Sequence, residues 1–181
     1  MIIKEKTLER NILYKGNVLE YVVESVELEN GMLAEREMVF HPGGVGVIAL
    51  DDNGEAFMVR QYRKPYDKAI LEIPAGKRDG GEVPEECARR ELMEETGLEA
   101  DELISLGKIY PSVGYTNETI YLFLARGLSQ GKANPDEDEF VDVERIPFDE
   151  LVTMVMSDEI KDAKSVVAIL KTKFYMETNC K

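Results

Sequence analysis

Three glutamates, Glu91, Glu94 and Glu95, stand close together in the Glu-rich run GKRDGGEVPEECARRELMEETGL, residues 76–98. At 100° per residue of helix they fall within an arc of about 100°, with Glu91 and Glu95 one above the other. Such like charges repel, by about 0.2–0.5 kcal/mol for an exposed i,i+4 pair and by more if the face turns inward. A hard divalent cation converts that cost into affinity, because Mg²⁺ takes carboxylate oxygens plus waters and bridges to substrate phosphates. An acidic helix face is more often simply solvated. Here Cys87, Ala88 and Leu92 lie on or beside the same arc, so the acids flank the apolar edge of the helix instead of opposing it. Arg89 and Arg90 interrupt the acids and can brace Glu86 or Glu94 through charge-assisted hydrogen bonds. Gly76, Gly80 and Gly81 in the preceding loop permit close approach of backbone.

The elements that must carry this cluster are legible around it. Pro84 to Thr96 reads as a helix with Gly97 as its terminator. Upstream, LEYVVESVEL at 19–28 and MLAEREMVF at 32–40 flank Asn30-Gly31, the strongest short hairpin signal, within an antiparallel unit of roughly residues 1–40. After the turn formers His41-Pro42-Gly43-Gly44, VGVIAL at 45–50 and EAFMVRQY after Asp51-Asp52-Asn53-Gly54 read as two central strands. AILEIPA at 69–75 reads as a short strand, further strands are expected near 103–110, 118–125 and 139–145, and helical spacing marks 148–156 and 162–176. Strands interleaved with two or three helices make an α/β protein with a mixed sheet between helical layers.

Composition removes other classes. At 181 residues the chain favours one domain with at most a small appendage. Twenty-two Lys and Arg against 36 Asp and Glu give a net charge of −14, a poor match for a nucleic-acid backbone. Two cysteines, Cys87 and Cys180, and one histidine, His41, are too few for a Cys/His zinc site. The opening MIIKEKTLER lacks the apolar core of a signal peptide, and no apolar run reaches the length of a membrane span. A cytoplasmic, reducing setting and no membrane partner are the expectations.

Gly76, five residues, Glu82, seven residues, Arg90-Glu91-Leu92, one residue, Glu94-Glu95, one residue, Gly97-Leu98 matches without departure the signature of the Nudix hydrolases. The resemblance implies the family's α/β/α sandwich with a mixed β-sheet, here preceded by N-terminal antiparallel strands. It also implies Mg²⁺-dependent cleavage of a nucleoside diphosphate joined to another group, with Mn²⁺ a possible substitute. Arg36-Glu37, His41-Pro42-Gly43, Gln61-Tyr62-Arg63 and Glu72-Ile73-Pro74-Ala75-Gly76, in that order, resemble ADP-ribose pyrophosphatases and related nucleotide-sugar hydrolases over nearly the whole chain. The expected organisation is an N-terminal strand unit at 1–41 that exchanges strands in a homodimer, and a Nudix domain at 42–181.

By that resemblance, Glu91, Glu94 and Glu95 are magnesium ligands together with the backbone carbonyl of Ala75, and Glu91 and Glu95 belong to the catalytic set. Glu82 either joins them or anchors its loop through backbone N–H groups, and Arg90 clamps the glutamates. Arg63 holds a phosphate or the terminal ribose, Arg36 reaches the substrate from the other subunit, and Glu72 is structural or touches the adenosine. In the run Asp136-Glu137-Asp138-Glu139, Glu139, with Glu137 next, aligns with the glutamate that orients or deprotonates the attacking water. Tyr62, Tyr66, Tyr115 and Phe40 are candidates to stack on adenine, although packing is the commoner role, and His41 reads as a turn residue. Val113 departs from the proline usual between Ser112 and Gly114, which loosens the choice of substrate. The expected substrate is ADP-ribose or a similar nucleoside diphosphate sugar; GDP-mannose, a dinucleoside compound and a catalytically silent ADP-ribose sensor are the rivals. The sensor predicts eroded acids, and every acid of the signature is present.

Overall fold

The computed structural model describes residues 4–131 and 140–179. They form two compact units: the described residues up to Gly43 together with Tyr110–Thr119, and Gly44–Ile109 together with the described residues from Ile120 onward.

The first unit is a three-stranded antiparallel sheet in the order β1 (Lys6–Lys15), β2 (Glu20–Glu27), β3 (Leu33–Phe40). The β2–β3 hairpin closes at Asn30-Gly31, where the Met32 amide donates to Asn30 Oδ1 at 3.0 Å and the Gly31 amide to the Leu28 carbonyl at 2.9 Å. Val22 and Val26 are buried, whereas every residue of β1 is exposed. Residues 110–119 join this unit through the Val39 amide, which donates to the Tyr115 carbonyl at 2.7 Å.

The second unit is built on a mixed sheet in the order β10 (Val141–Pro147), β5 (Glu55–Arg63), β4 (Gly44–Leu50), β9 (Ile120–Gln130), β8 (Leu98–Ile109), with β6 (Lys68–Glu72) on β5 and β7 (Ala75–Lys77) on β4. β4 and β9 run parallel and the other pairs antiparallel. The uninterrupted apolar run of β4 follows from cover on both faces. Val45, Val47 and Ala49 pack with Cys87, Ala88 and Leu92 of helix α1 (Pro84–Thr96). Ile48 and Leu50 pack with Leu151 of α2 (Phe148–Met156) and with Ala168 and Ile169 of α3 (Ala163–Asn179). Truncating a fully buried anchor such as Leu92 to Ala costs about 2–5 kcal/mol. No helix among the described residues is long and apolar enough to cross a membrane.

α1 has the expected boundaries. Pro84 opens it, and Gly97 ends it in the left-handed conformation at φ 70, its amide donating to the Met93 carbonyl. Elsewhere the elements differ. The run 69–75 is two strands, because Pro74 has no amide to continue the ladder and its carbonyl instead accepts from the Val47 amide at 2.8 Å. β6 therefore stays on β5 while β7 crosses to β4. β8 starts at Leu98, five residues before the expected strand near 103; Glu99, Asp101 and Glu102 hide an edge strand that needs only one apolar face. β9 likewise runs to Gln130, and α3 to Asn179.

Candidate functional site

α1 lies against β4 and β7 with Glu91 and Glu95 on its buried side, 7% and 6% exposed. Room for Glu91 comes from Gly76 in β7: a Cβ there would stand 1.9 Å from the Glu91 carboxyl carbon and 2.0 and 2.1 Å from its oxygens. Gly76 is thus required by a close approach, not by an unusual φ. One turn on, Glu95 Oε2 accepts the Ala75 amide at 2.9 Å. The strand break at Pro74 aims the first two residues of β7, Ala75 and Gly76, at the two buried carboxylates.

Arg90 is the hub between the acids. Its Nε and Nη2 fork onto Glu82 at 3.0 Å each, and its Nη1 donates to Glu91 at 2.8 Å and to Glu94 at 2.9 Å. Nη2 also donates to the Lys77 carbonyl at 3.2 Å, which ties α1 to the loop before it. Glu82 anchors that loop by accepting the Asp79 amide at 3.1 Å, and the Arg90 guanidinium holds its carboxyl down at about 2. Burial, with Glu82 beside it, pushes the Cys87 thiol up to about 12, so it is neither ligand nor nucleophile. Arg78 donates through Nε to the Glu82 carbonyl at 3.1 Å and lies over the Tyr121 ring at 5.5 Å.

The donor set fits a hard cation: carboxylate oxygens on one helix face, with the adjacent thiol protonated. Among the described residues no three acidic side chains are arranged around a space for a metal ion; Glu82, Glu91 and Glu94 turn to Arg90, and Ala75 holds Glu95. Ala75 meets the acids through its amide, a contact the sequence did not indicate beside the carbonyl role expected of it.

A second cluster adjoins. Arg63 Nε and Nη2 form a fork with Glu72 at 2.7 and 2.8 Å, and Lys164 Nζ bonds the same carboxylate. Burial works against the Glu72 charge, but Arg63 and Lys164 outweigh it and hold the carboxyl below its usual range. Arg63 is raised by Glu72 first, and Glu95 of α1 and Asp162 also act on it. Glu72 is therefore braced between two cations. Lys164 and Ser165, whose Oγ accepts the buried Ile73 amide at 2.9 Å, escaped notice in the sequence. Nothing distinguishes Lys164 among the chain's 22 basic residues, and its partner is 92 residues away.

Arg36 belongs to the other unit, where its Nε and Nη2 fork onto Glu5 at 2.8 and 2.5 Å. His41 is a turn residue, its Nδ1 accepting the Gly43 amide at 3.1 Å. Phe40 lies under Arg10 at 4.5 Å; Tyr62 donates to Asp67, and Tyr66 and Tyr115 are exposed. Glu137 and Glu139 lie outside the described residues, as does Cys180.

The spacing of Glu82, Arg90, Glu91, Glu94 and Glu95, with Arg90 bonded to Glu82, Glu91 and Glu94 and with Glu95 on the Ala75 amide, coincides with a match of residues 40–168 to the NUDIX domain. The chain belongs to the NUDIX family. An ADP-ribose pyrophosphatase of Bacillus subtilis (strain 168) is 44% identical over 169 residues, spanning 92% of this chain and 91% of that one. A methanol dehydrogenase activator of Bacillus methanolicus is 43% identical over 170 residues, spanning 93% and 92%. A solved ADP compounds hydrolase superposes with a TM-score of 0.87 over 97% of this chain and 95% of that one, at 22% identity, which is a likeness of fold. The NUDIX sandwich accounts for helices on both faces of the mixed sheet, and the N-terminal strands precede it as expected.

Proposed function

We propose that this NUDIX enzyme hydrolyses the diphosphate bond of ADP-ribose, or of a similar nucleoside diphosphate sugar, giving AMP and ribose 5-phosphate from the former. The observation that carries this reading is the pair of buried carboxylates, Glu91 over Gly76 and Glu95 on the Ala75 amide. With Glu94 and the Ala75 carbonyl they are the proposed holders of Mg²⁺, or of Mn²⁺ in its place. When bound, such an ion neutralises the diphosphate and acidifies a water.

The chain's own residues do the rest. Arg90 keeps Glu91 and Glu94 from repelling one another and fixes their direction. Arg63 has two of its five N–H groups on Glu72 and offers the remainder to a phosphate oxygen. Glu139, or Glu137 beside it, takes the proton of the attacking water, a role worth about 10²–10⁴-fold. Arg36 serves the site of a partner copy.

That last role requires a homodimer built through the N-terminal strands. Leu8, Ile12, Leu13 and Tyr14 of β1 are 48%, 54%, 61% and 60% exposed, an apolar strand surface that a second copy of β1–β3 would cover. Sedimentation should give twice the 20.5 kDa chain mass, and truncation before β2 should give monomers with little turnover. The charge of −14 supports the absence of a nucleic-acid partner, and the free buried thiol of Cys87 suits a reducing cytoplasm.

The decisive test is Glu95→Gln, which removes charge and little volume. Purified protein with ADP-ribose, GDP-mannose and a dinucleoside diphosphate, with and without Mg²⁺, should release nucleoside monophosphate fastest from ADP-ribose, and Glu95→Gln should abolish metal-dependent release while thermal unfolding stays cooperative. A Glu95→Gln enzyme that retained most of its activity would remove the proposed metal site.

A further inference from the structure

The contacts of Lys164 go beyond those of a helix-stabilising lysine. Its side chain is 11% exposed and sits on Glu72, whose side chain is 4% exposed, and it also meets Asp162 Oδ2 at 3.1 Å. The other partner of Glu72, Arg63, is 40% exposed and is the only one of the two cations with an outward face. Paired with a single guanidinium, a buried carboxylate would cancel its charge and leave little field for an anion. Shared between two cations, the same carboxylate still fixes the fork by two hydrogen bonds but cancels only part of the Arg63 charge. Asp162, which returns some negative charge, is itself held by the Ser165 amide at 3.0 Å and the Ser165 hydroxyl at 2.5 Å, both bonded to the oxygen that faces Lys164.

We propose that Lys164 is a positioning residue for substrate binding: by sharing the Glu72 carboxylate it holds Arg63 oriented, and electropositive, toward the diphosphate. The inference rests on the diphosphate-hydrolase reading above. It ties the start of α3 to the phosphate end of the site, although α3 supplies no group that touches the reacting atoms. Lysine and arginine differ in geometry but not in charge here, so Lys164→Arg should keep the effect that Lys164→Met removes.

Steady-state hydrolysis of ADP-ribose at saturating Mg²⁺ tests this with three variants of the full chain. Lys164→Met should raise KM about tenfold and change kcat by less than about twofold, because the lost interaction is with bound substrate as much as with the transition state. Lys164→Arg should restore KM to within about threefold of wild type. Lys171→Met is the matched control: the same substitution on the same helix removes a hydrogen bond to the Leu106 carbonyl, 2.6 Å long, and should lower Tm without moving KM. Lys164→Met with unaltered KM, or with a KM no different from that of Lys171→Met, overturns the inference while the hydrolase reading stands. A wild-type enzyme that neither binds nor cleaves ADP-ribose or another nucleoside diphosphate sugar overturns both.

Discussion

Replacing Gly76 by alanine adds one methyl group, and the structure says where it goes. The new Cβ would lie 1.9–2.1 Å from the carboxyl atoms of Glu91. Carbon atoms in contact sit about 3.5 Å apart, so the carboxyl group must retreat by about 1.5 Å. Its 2.8 Å bond to Arg90 Nη1 does not survive a shift of that size, and a proposed metal ligand leaves its place. The backbone itself has no quarrel with alanine, since Gly76 is not among the positive-φ glycines, and the obstructing atoms are the far end of a side chain that can swing. Stability should therefore change by about 1 kcal/mol or less, with the entropy of the unfolded chain favouring alanine. Activity should not be spared: a displacement of about 1 Å in a catalytic constellation costs about 100-fold. Release of AMP from ADP-ribose, followed by phosphatase-coupled phosphate detection across a Mg²⁺ titration, should show kcat down by at least about 100-fold and a weaker apparent metal affinity. Thermal unfolding on the same samples should move by only a few degrees. A Gly76→Ala enzyme with near-normal kcat and an unchanged Mg²⁺ profile would refute the claim that the Glu91 carboxylate must occupy the space over residue 76.

Arg90→Ala should destabilise by about 2 kcal/mol, below the cost of breaking a fully buried pair because the guanidinium is 31% exposed; urea unfolding should show the deficit shrinking as Mg²⁺ is added, since a divalent ion relieves the same repulsion. Glu72→Gln should cost about 2–3 kcal/mol at neutral pH, as it strips Arg63 and Lys164 of a carboxylate that is 4% exposed. Because the folded Glu72 carboxyl titrates below its ordinary 4.5, its contribution is complete above that value and is lost as pH falls through the lower folded value. The wild-type advantage over Glu72→Gln in denaturant midpoints should accordingly narrow in acid, and an advantage that grew on acidification would contradict the sign. Glu139→Gln should lower kcat by about 10²–10⁴-fold with little change in apparent Mg²⁺ affinity, and Glu137→Gln should have the smaller effect; the reverse order would move the base to Glu137.

How far the chain could be read without coordinates depends on how far apart the interacting residues are. Both ends of α1 were legible, because Pro84 and Gly97 act on their own backbone, and so was the clamp, because Arg90, Glu91 and Glu94 meet within one helical turn. The apolar run of β4 announced a strand covered on both faces, and Asn30-Gly31 announced a hairpin that closes on its own hydrogen bonds. The first residues of β8 were lost among Glu99, Asp101 and Glu102, since the alternation of an edge strand is weak when its outer face is charged.

Residue spacing by itself determined the family, the helix and the set of acids, because those properties reside in interactions between near neighbours. Only the tertiary structure decided that Gly76 makes room for Glu91, that Arg63 is committed to Glu72, and that Lys164 reaches the same carboxylate across 92 residues. The run 69–75 carries no mark of being two strands on different partners; packing of β4 between β5 and β9 imposes the crossover at Pro74. The physical reason is that a buried charge selects its partner by proximity after the sheet has formed, and one basic residue in the chain looks much like another until folding places it beside an acid.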